Sequence, residues 1–190
     1  MRVLDLGCGP GRDLVSWGVI QSDQVTGVDI DVAALSLARG RFRNRLYVQG
    51  AGECLPFGNE SFERIISSVA LPYMDIPKAL AEARRTIVPG GRLSLSLHPP
   101  SFTISELLHN ALPKPIPTLF RLYVLANGMF FHMTGKTLGF LRRRTESFQT
   151  EHGMQIALSR AGFVNISFRW GTGGAGKTFT VEATRSEWES

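Results

Sequence analysis

The stretch with the most chemistry in it is Asp5-Leu6-Gly7-Cys8-Gly9-Pro10-Gly11, an acid, a spacer, then three glycines at alternate positions. Glycine lets a backbone turn through positive φ and come close to a ligand. Val3, Leu4 and Leu6 read as a short buried strand leading into the loop, and Asp13–Ile20 reads as a helix behind it. A helix start presents unpaired N–H groups and a partial positive charge, so strand, glycine loop and helix together make an anchor for a small molecule. A second acid, Asp29, closes the β-branched strand Gln24–Asp29, 20 residues past Gly9. Nucleoside cofactors have their ribose held at such a position, because a carboxylate accepts both hydroxyl hydrogens at once. Asp31 reads instead as the N-cap of a helix over 32–39.

Other reactive side chains are scattered. His98 ends a strand over Arg92–His98, and the carboxyl end of a strand is where ligands bind in open α/β sheets. A histidine there is a candidate general base, weighed against a ring bonded to nearby backbone. Cys8 and Cys54 make neither a disulfide framework nor a metal cluster, so both read as reduced thiols, with Cys8 filling space inside the loop. No metal site is expected.

Two nucleotide motifs fail on spacing. Dinucleotide binding wants G-x-G-x-x-G, and here the third glycine, Gly11, comes one place early. Gly171-Thr172-Gly173-Gly174-Ala175-Gly176-Lys177-Thr178 satisfies the P-loop pattern. A P-loop needs a helix straight after it, whereas Phe179–Thr184 alternates like a strand.

The acid and alternating glycines of Val3-Leu4-Asp5-Leu6-Gly7-Cys8-Gly9-Pro10-Gly11 resemble the first motif of the class I S-adenosylmethionine-dependent methyltransferases, in particular the small-molecule group. Ile87-Val88-Pro89-Gly90-Gly91-Arg92-Leu93 resembles a second conserved run of that family, and Glu53 with Leu55-Pro56-Phe57 a third. The resemblance implies S-adenosylmethionine as cofactor and in-line methyl transfer to a small-molecule acceptor. Asp5, Gly7, Cys8, Gly9 and Gly11 would cradle the methionine end, whose ammonium group an acid beside the loop helps to hold. Asp29 would take the ribose, Ile30 the adenine, and Gly52 and Glu53 would complete the adenine side. Ser67 and Ser68, ending a strand over 62–69, would face the methionine part. The third run departs from the family at Ala51, where an acid that takes the adenine amino group is expected. Ala70-Leu71-Pro72-Tyr73 is a poor copy of the amino-methylating motif of nucleic-acid enzymes, since Ala70 cannot orient an amino nitrogen. Tyr73 stays a candidate for touching the acceptor.

The remaining elements follow from pattern. Strands are expected at 46–49, 163–170 and 179–184, with helices from Asp75 to Ile87 and over Thr150–Ala161. The fold expected is α/β: a Rossmann-like, doubly wound, seven-stranded, mostly parallel sheet with an antiparallel C-terminal hairpin. One domain over 1–190 is expected, carrying a helical insertion after the fifth strand at 99–146. Its apolar stretch, Leu119 to Met133, reads as helices packed over the sheet edge, as a homodimer interface, or as a lid over an apolar acceptor with Arg142–Arg144 near a membrane surface or an acidic group. Hydrophobic content of 43% and charged content of 19% are ordinary for a globular protein. A net charge of +5, not gathered in one run, points away from nucleic acid, so RNA methylation is the less favoured alternative. No secretory signal or membrane span is expected, which reads as a cytoplasmic protein. Met1 and Arg2 alone precede the first strand, where the family has helical cover for the cofactor. A weakly active or non-catalytic cofactor-binding protein is therefore the second reading.

Overall fold

The computed structural model describes residues 1–11, 14–111, 115–139, 145–171 and 178–187. Its frame is a seven-stranded sheet of β1 (Arg2–Leu6), β2 (Gln24–Asp29), β3 (Leu46–Gln49), β4 (Phe62–Ser68), β5 (Ile87–Leu97), β6 (Phe163–Trp170) and β7 (Phe179–Arg185). The order is β3-β2-β1-β4-β5-β7-β6. β1 to β5 pair in parallel, and β7 runs antiparallel to both β5 and β6. The winding direction reverses between β1 and β4, so the carboxyl ends of those strands open the crevice that such sheets use for ligands.

β1 is buried on both sides. Val3 joins a small cluster with Leu14, Val19, Val25 and Ile66, while Leu4 and Leu6 join the large core. Neighbouring strand residues face opposite sides, so consecutive apolar residues require two covers. α2 (Ile76–Thr86) and α5 (Glu151–Arg160) bring Ile76, Leu80, Ala83, Met154 and Leu158 to the large core. The caps are those the sequence predicts. Asp75 accepts from Lys78 N–H and Thr150 from Gly153 N–H. Asp31 accepts from Ala33 and Ala34 N–H at the start of α1 (Val32–Arg41). Each cap satisfies donors that the first turn leaves without partners.

Two expectations are corrected. In place of a helix over 13–20, Val15–Trp17 forms one 3₁₀ turn, while residues 12–13 lie outside the described residues. Gly18 at φ 74° ends the turn, and Leu14 and Val19 both enter the small cluster. Arg64 then fixes the turn by donating to Trp17 O at 2.6 Å. β5 begins at Ile87 rather than Arg92. Ile87 pairs with Phe62, the intervening residues bulge, and the ladder resumes with Arg92 opposite Arg64. Proline and glycine are tolerated in a strand at such an irregularity.

After β5 come α3 (Pro100–Glu106), a π-helical turn over 107–111 and α4 (Pro115–Thr134). Pro115 and Pro117 fall in the first turn of α4, where a missing N–H is harmless. α4 packs inward through Val124, Asn127, Gly128 and Phe131, all buried. A Cβ on Gly128 would meet the Phe148 ring at 2.3 Å, and one on Gly153 would meet Phe131 at 2.8 Å. Buried Asn127 donates to Glu146 O at 2.9 Å and accepts from Leu138 N–H at 2.7 Å. Arg121 pairs with Glu146 at 2.7 Å, so both ends of the 138–146 stretch hang from α4. Arg142–Arg144 lie outside the described residues, as do Thr172–Lys177 of the P-loop look-alike. Thr178 leads straight into β7, which is the strand expected there. Among the described residues no helix is long and apolar enough to cross a membrane, and no group of His, Cys, Asp and Glu gathers as for a metal.

Gly128→Ala should lower stability to denaturant by about 1–3 kcal/mol, the usual range for overpacking. Gly40→Ala in α1, where an added Cβ meets nothing within 4 Å, should instead gain roughly 0.5–1 kcal/mol. Urea midpoints for the two variants check both signs, and an unaltered midpoint for Gly128→Ala would mean that α4 docks differently.

Candidate functional site

The glycine loop is stitched to the tip of β2. Gly7 N–H and Cys8 N–H both donate to Val28 O, at 2.8 and 3.1 Å. Gly9 N–H donates to Asp29 Oδ2 at 2.7 Å, and Asp31 N–H donates to Asp29 Oδ1 at 2.9 Å. Gly7 has φ 71°, and a Cβ there would sit 2.2 Å from Ala70 Cβ, so no other residue fits. At Gly9 an added Cβ would meet nothing within 4 Å, which leaves that part of the loop open to a ligand.

A cavity of about 770 Å³ opens at the carboxyl ends of β1, β2 and β4. Its floor is Leu6, Gly7, Val28, Asp29 and Ile30. One wall is Gly50–Glu53, and the other is Ala70, Tyr73, Met74, Asp75 and Lys78; Gly139 and Thr145 form the rim. The first wall is held to α2 by carboxylates and a guanidinium. Glu53 accepts from Asp75 N–H at 2.8 Å, and Glu82 accepts from Leu55 N–H at 2.7 Å. Arg85 pairs with Glu82 at 2.7 Å and donates to Leu55 O and Phe57 O. The second wall starts at Val69, whose φ of 60° is an outlier for a β-branched residue. Val69 N–H donates to Ser96 O at 2.9 Å, holding the bend that sets Ala70 against Gly7. Such strain costs about 1–3 kcal/mol and gathers at functional sites.

The cavity is acidic within a basic chain. Asp29, Glu53 and Asp75 line it against Lys78 alone among the described residues. Lys78 sits 2.8 Å from Asp75, and that hydrogen bond raises its pKa. The Cys8 thiol is pushed up to about 12, first by burial and then by the nearby charges of Asp5 and Asp29.

The structure brings Gly7, Asp29, Ile30, Gly52, Glu53 and Tyr73 to the cavity. Asp5, Cys8, Gly9 and Gly11 build the loop behind it. Asp5 is only 4% exposed, in β1 between Gly27 and Ile66. Ser67 is fully buried and its hydroxyl donates to Leu6 O at 2.9 Å, so it serves the sheet. Ser68 is half-buried at the end of β4 and is not among the lining residues. His98 lies one residue past β5, stacked on Phe102 with centroids 4.1 Å apart, and burial lowers its pKa. It too is not among the lining residues. Met74, Asp75 and Lys78 were not expected at the site. Asp75 reads in the sequence as a helix cap only; its place just past the carboxyl end of the fourth strand is the signal that could have found it.

A family model described as a methyltransferase domain matches residues 4–95, just under half of the chain. The malonyl-[acyl-carrier protein] O-methyltransferase of Erwinia pyrifoliae is 37% identical over 97 residues, covering 50% of this chain and 37% of that protein. The demethylmenaquinone methyltransferase of Chlorobaculum tepidum is 26% identical over 171 residues, covering 88% of this chain and 67% of that one. The chain thus spans between about a third and two thirds of the length of these curated relatives. Among solved structures, an S-adenosylmethionine-dependent methyltransferase from Methanosarcina mazei superposes with a TM-score of 0.64 at 21% identity, covering 97% of this chain and 92% of that one. That likeness shows the fold. With the glycine loop and the strand order in agreement, residues 4–95 are similar to a methyltransferase domain, and the chain has the fold of the S-adenosylmethionine-dependent methyltransferase it superposes on.

Proposed function

We propose that this chain transfers a methyl group from S-adenosylmethionine to a small-molecule acceptor. The observation that carries the reading is Asp29, which holds the glycine loop and lines the cavity at the same time. Each of its oxygens spends one lone-pair site on a backbone N–H, so one site on each is left for a ribose hydroxyl. Beside it Ile30 is 71% exposed, an apolar face suited to a nucleobase. Gly50, Ala51 and Gly52 keep the facing wall small, and with Ala51 in place of an acid the base amino group falls to backbone carbonyls there. Asp5 acts from behind the loop, adding negative potential for an ammonium group. Glu53 has one oxygen committed to Asp75 N–H. The cavity volume lies within the ordinary range for cofactor sites.

Bound there, the cofactor supplies a methyl already activated by a sulfonium. The protein's task is then to align an acceptor with that methyl and exclude water, so no catalytic triad is needed. Tyr73, 52% exposed on the cavity wall, is placed to touch the acceptor. His98 has the uncharged state of a base near neutral pH, since burial holds its pKa below the usual histidine range. The two curated relatives are named for acceptors as different as malonyl-acyl carrier protein and demethylmenaquinone. We therefore assign cofactor binding to the glycine loop, Asp29 and Ile30, and acceptor choice to the wall and rim residues Tyr73, Lys78, Gly139 and Thr145.

Three measurements test this. S-adenosylmethionine at a hundredfold excess over its dissociation constant should stabilise the protein by about 2.7 kcal/mol, with NAD and ATP leaving the melting temperature unmoved; the opposite ranking overturns the reading. Asp29→Ala should weaken cofactor binding at least tenfold, about 1.4 kcal/mol, for loss of a charged bidentate contact. Asp29→Asn, which keeps one acceptor for the loop, separates lost ribose contact from a loosened loop in calorimetry and melting together. With a pKa of about 12, Cys8 has on the order of one thiolate in 10⁴ at pH 8. Exposed Cys54 alone should then react with a disulfide reagent in the native protein, and both thiols in denaturant.

A further inference from the structure

α4 buries one face and leaves a second apolar stripe exposed. Leu119, Leu122, Ala126, Met129 and Met133 recur at spacings of three and four, and all five are exposed, Leu119 at 66% and Met133 at 68%. They lie opposite the inner face of Val124, Asn127, Gly128 and Phe131. At 1.5 Å per residue the stripe is about 21 Å long. Its flanking residues, Thr118 and Leu125, carry no charge, and Arg121, the only Lys, Arg, Asp or Glu of α4, is paired with Glu146.

Basic side chains stand at the C-terminal end of the stripe. Among the described residues, Lys136 is exposed just beyond Met133. Arg160 is exposed as well, and its guanidinium donates to Thr134 O at the same end of the helix.

We infer that α4 lies flat on an anionic phospholipid bilayer. Its leucine and methionine stripe sits at the boundary between headgroups and acyl chains, and Lys136 and Arg160 sit at headgroup level. A helix with an apolar face beside basic residues binds such a surface by area and by charge together. A second copy is the poorer occupant. A stripe about 21 Å long and about 10 Å wide offers on the order of 200 Å², against about 800 Å² per partner in a stable protein interface. The bilayer needs no such area, because each inserted methylene contributes about 0.8 kcal/mol.

The test is co-sedimentation with vesicles of phosphatidylcholine alone and of phosphatidylcholine with about a third phosphatidylglycerol. The wild-type chain should bind the anionic vesicles and release at high salt. Leu122→Glu and Met129→Glu should each bind on the order of tenfold less, while Leu37→Glu, an exposed apolar position on α1, should bind like wild type. Melting curves of the variants should match wild type, so that lost binding is not lost folding. Wild-type protein left in the supernatant, variants that bind as well as wild type, or a wild-type dimer in sedimentation velocity that the variants split would each overturn the inference. Cofactor calorimetry on the same variants should be unchanged, which separates this surface from the proposed methyl transfer.

Discussion

The Asp29 carboxylate is the joint on which the rest of the site depends. One oxygen accepts from Gly9 in the loop after β1, and the other accepts from Asp31 at the start of α1. Hydrogen bonds to a charged acceptor contribute more than neutral ones, about 1.5–3 kcal/mol each. Val28 O adds two more bonds from Gly7 and Cys8. The loop conformation is therefore set by the neighbouring strand, with the glycines permitting it. The same side chain faces the cavity, so the group that fixes the loop also presents charge to whatever enters.

The facing wall follows the same rule. Glu53 takes the N–H that precedes α2, and Glu82 takes Leu55 N–H, with Arg85 bridging to two carbonyls of the same loop. A segment with little regular structure of its own is thus tied at several points to one helix. Val69 closes the arrangement from β4 by accepting a backbone conformation that its side chain disfavours, in return for setting Ala70 on Gly7. Both walls are then held by elements of the fold rather than by loop packing. Chemistry whose rate depends on alignment requires such holding.

Much of this frame is legible in the sequence because strands and caps are local. β2, β3 and β6 fall where β-branched and aromatic runs place them, and Asp31, Asp75 and Thr150 cap the helices that follow. The glycine loop and Asp29 are legible because both chemistry and spacing constrain them. The failures share a cause, which is tertiary contact overruling local pattern. Leu14 to Ile20 has helical spacing, yet a guanidinium from β4 and a left-handed Gly18 make it a turn. The fifth strand is expected only from Arg92, yet Phe62 of β4 already pairs with Ile87 before the bulge. Ser67 sits at the expected strand end but on the face where Leu6 O claims its hydroxyl. Met74 and Lys78 reach the cavity through the bend at Val69, which no residue type announces.

The insertion is the least legible segment of the sequence because of how its polar residues are used. A helix against a core usually turns its apolar stripe inward and its polar residues to water. In α4 the buried Asn127 is satisfied by Glu146 O and Leu138 N–H, and Arg121 is satisfied by Glu146. The polar groups are consumed in holding the 138–146 stretch, whose ends reach the cavity rim. Inward apolar contact is left to Val124 and Phe131, with Gly128 giving way to Phe148. A run of leucine and methionine then remains outside, where hydrophobicity alone would not place it. The internal demand for hydrogen bonds at the rim accounts for the buried Asn127, and the bilayer inferred above accounts for the outward stripe.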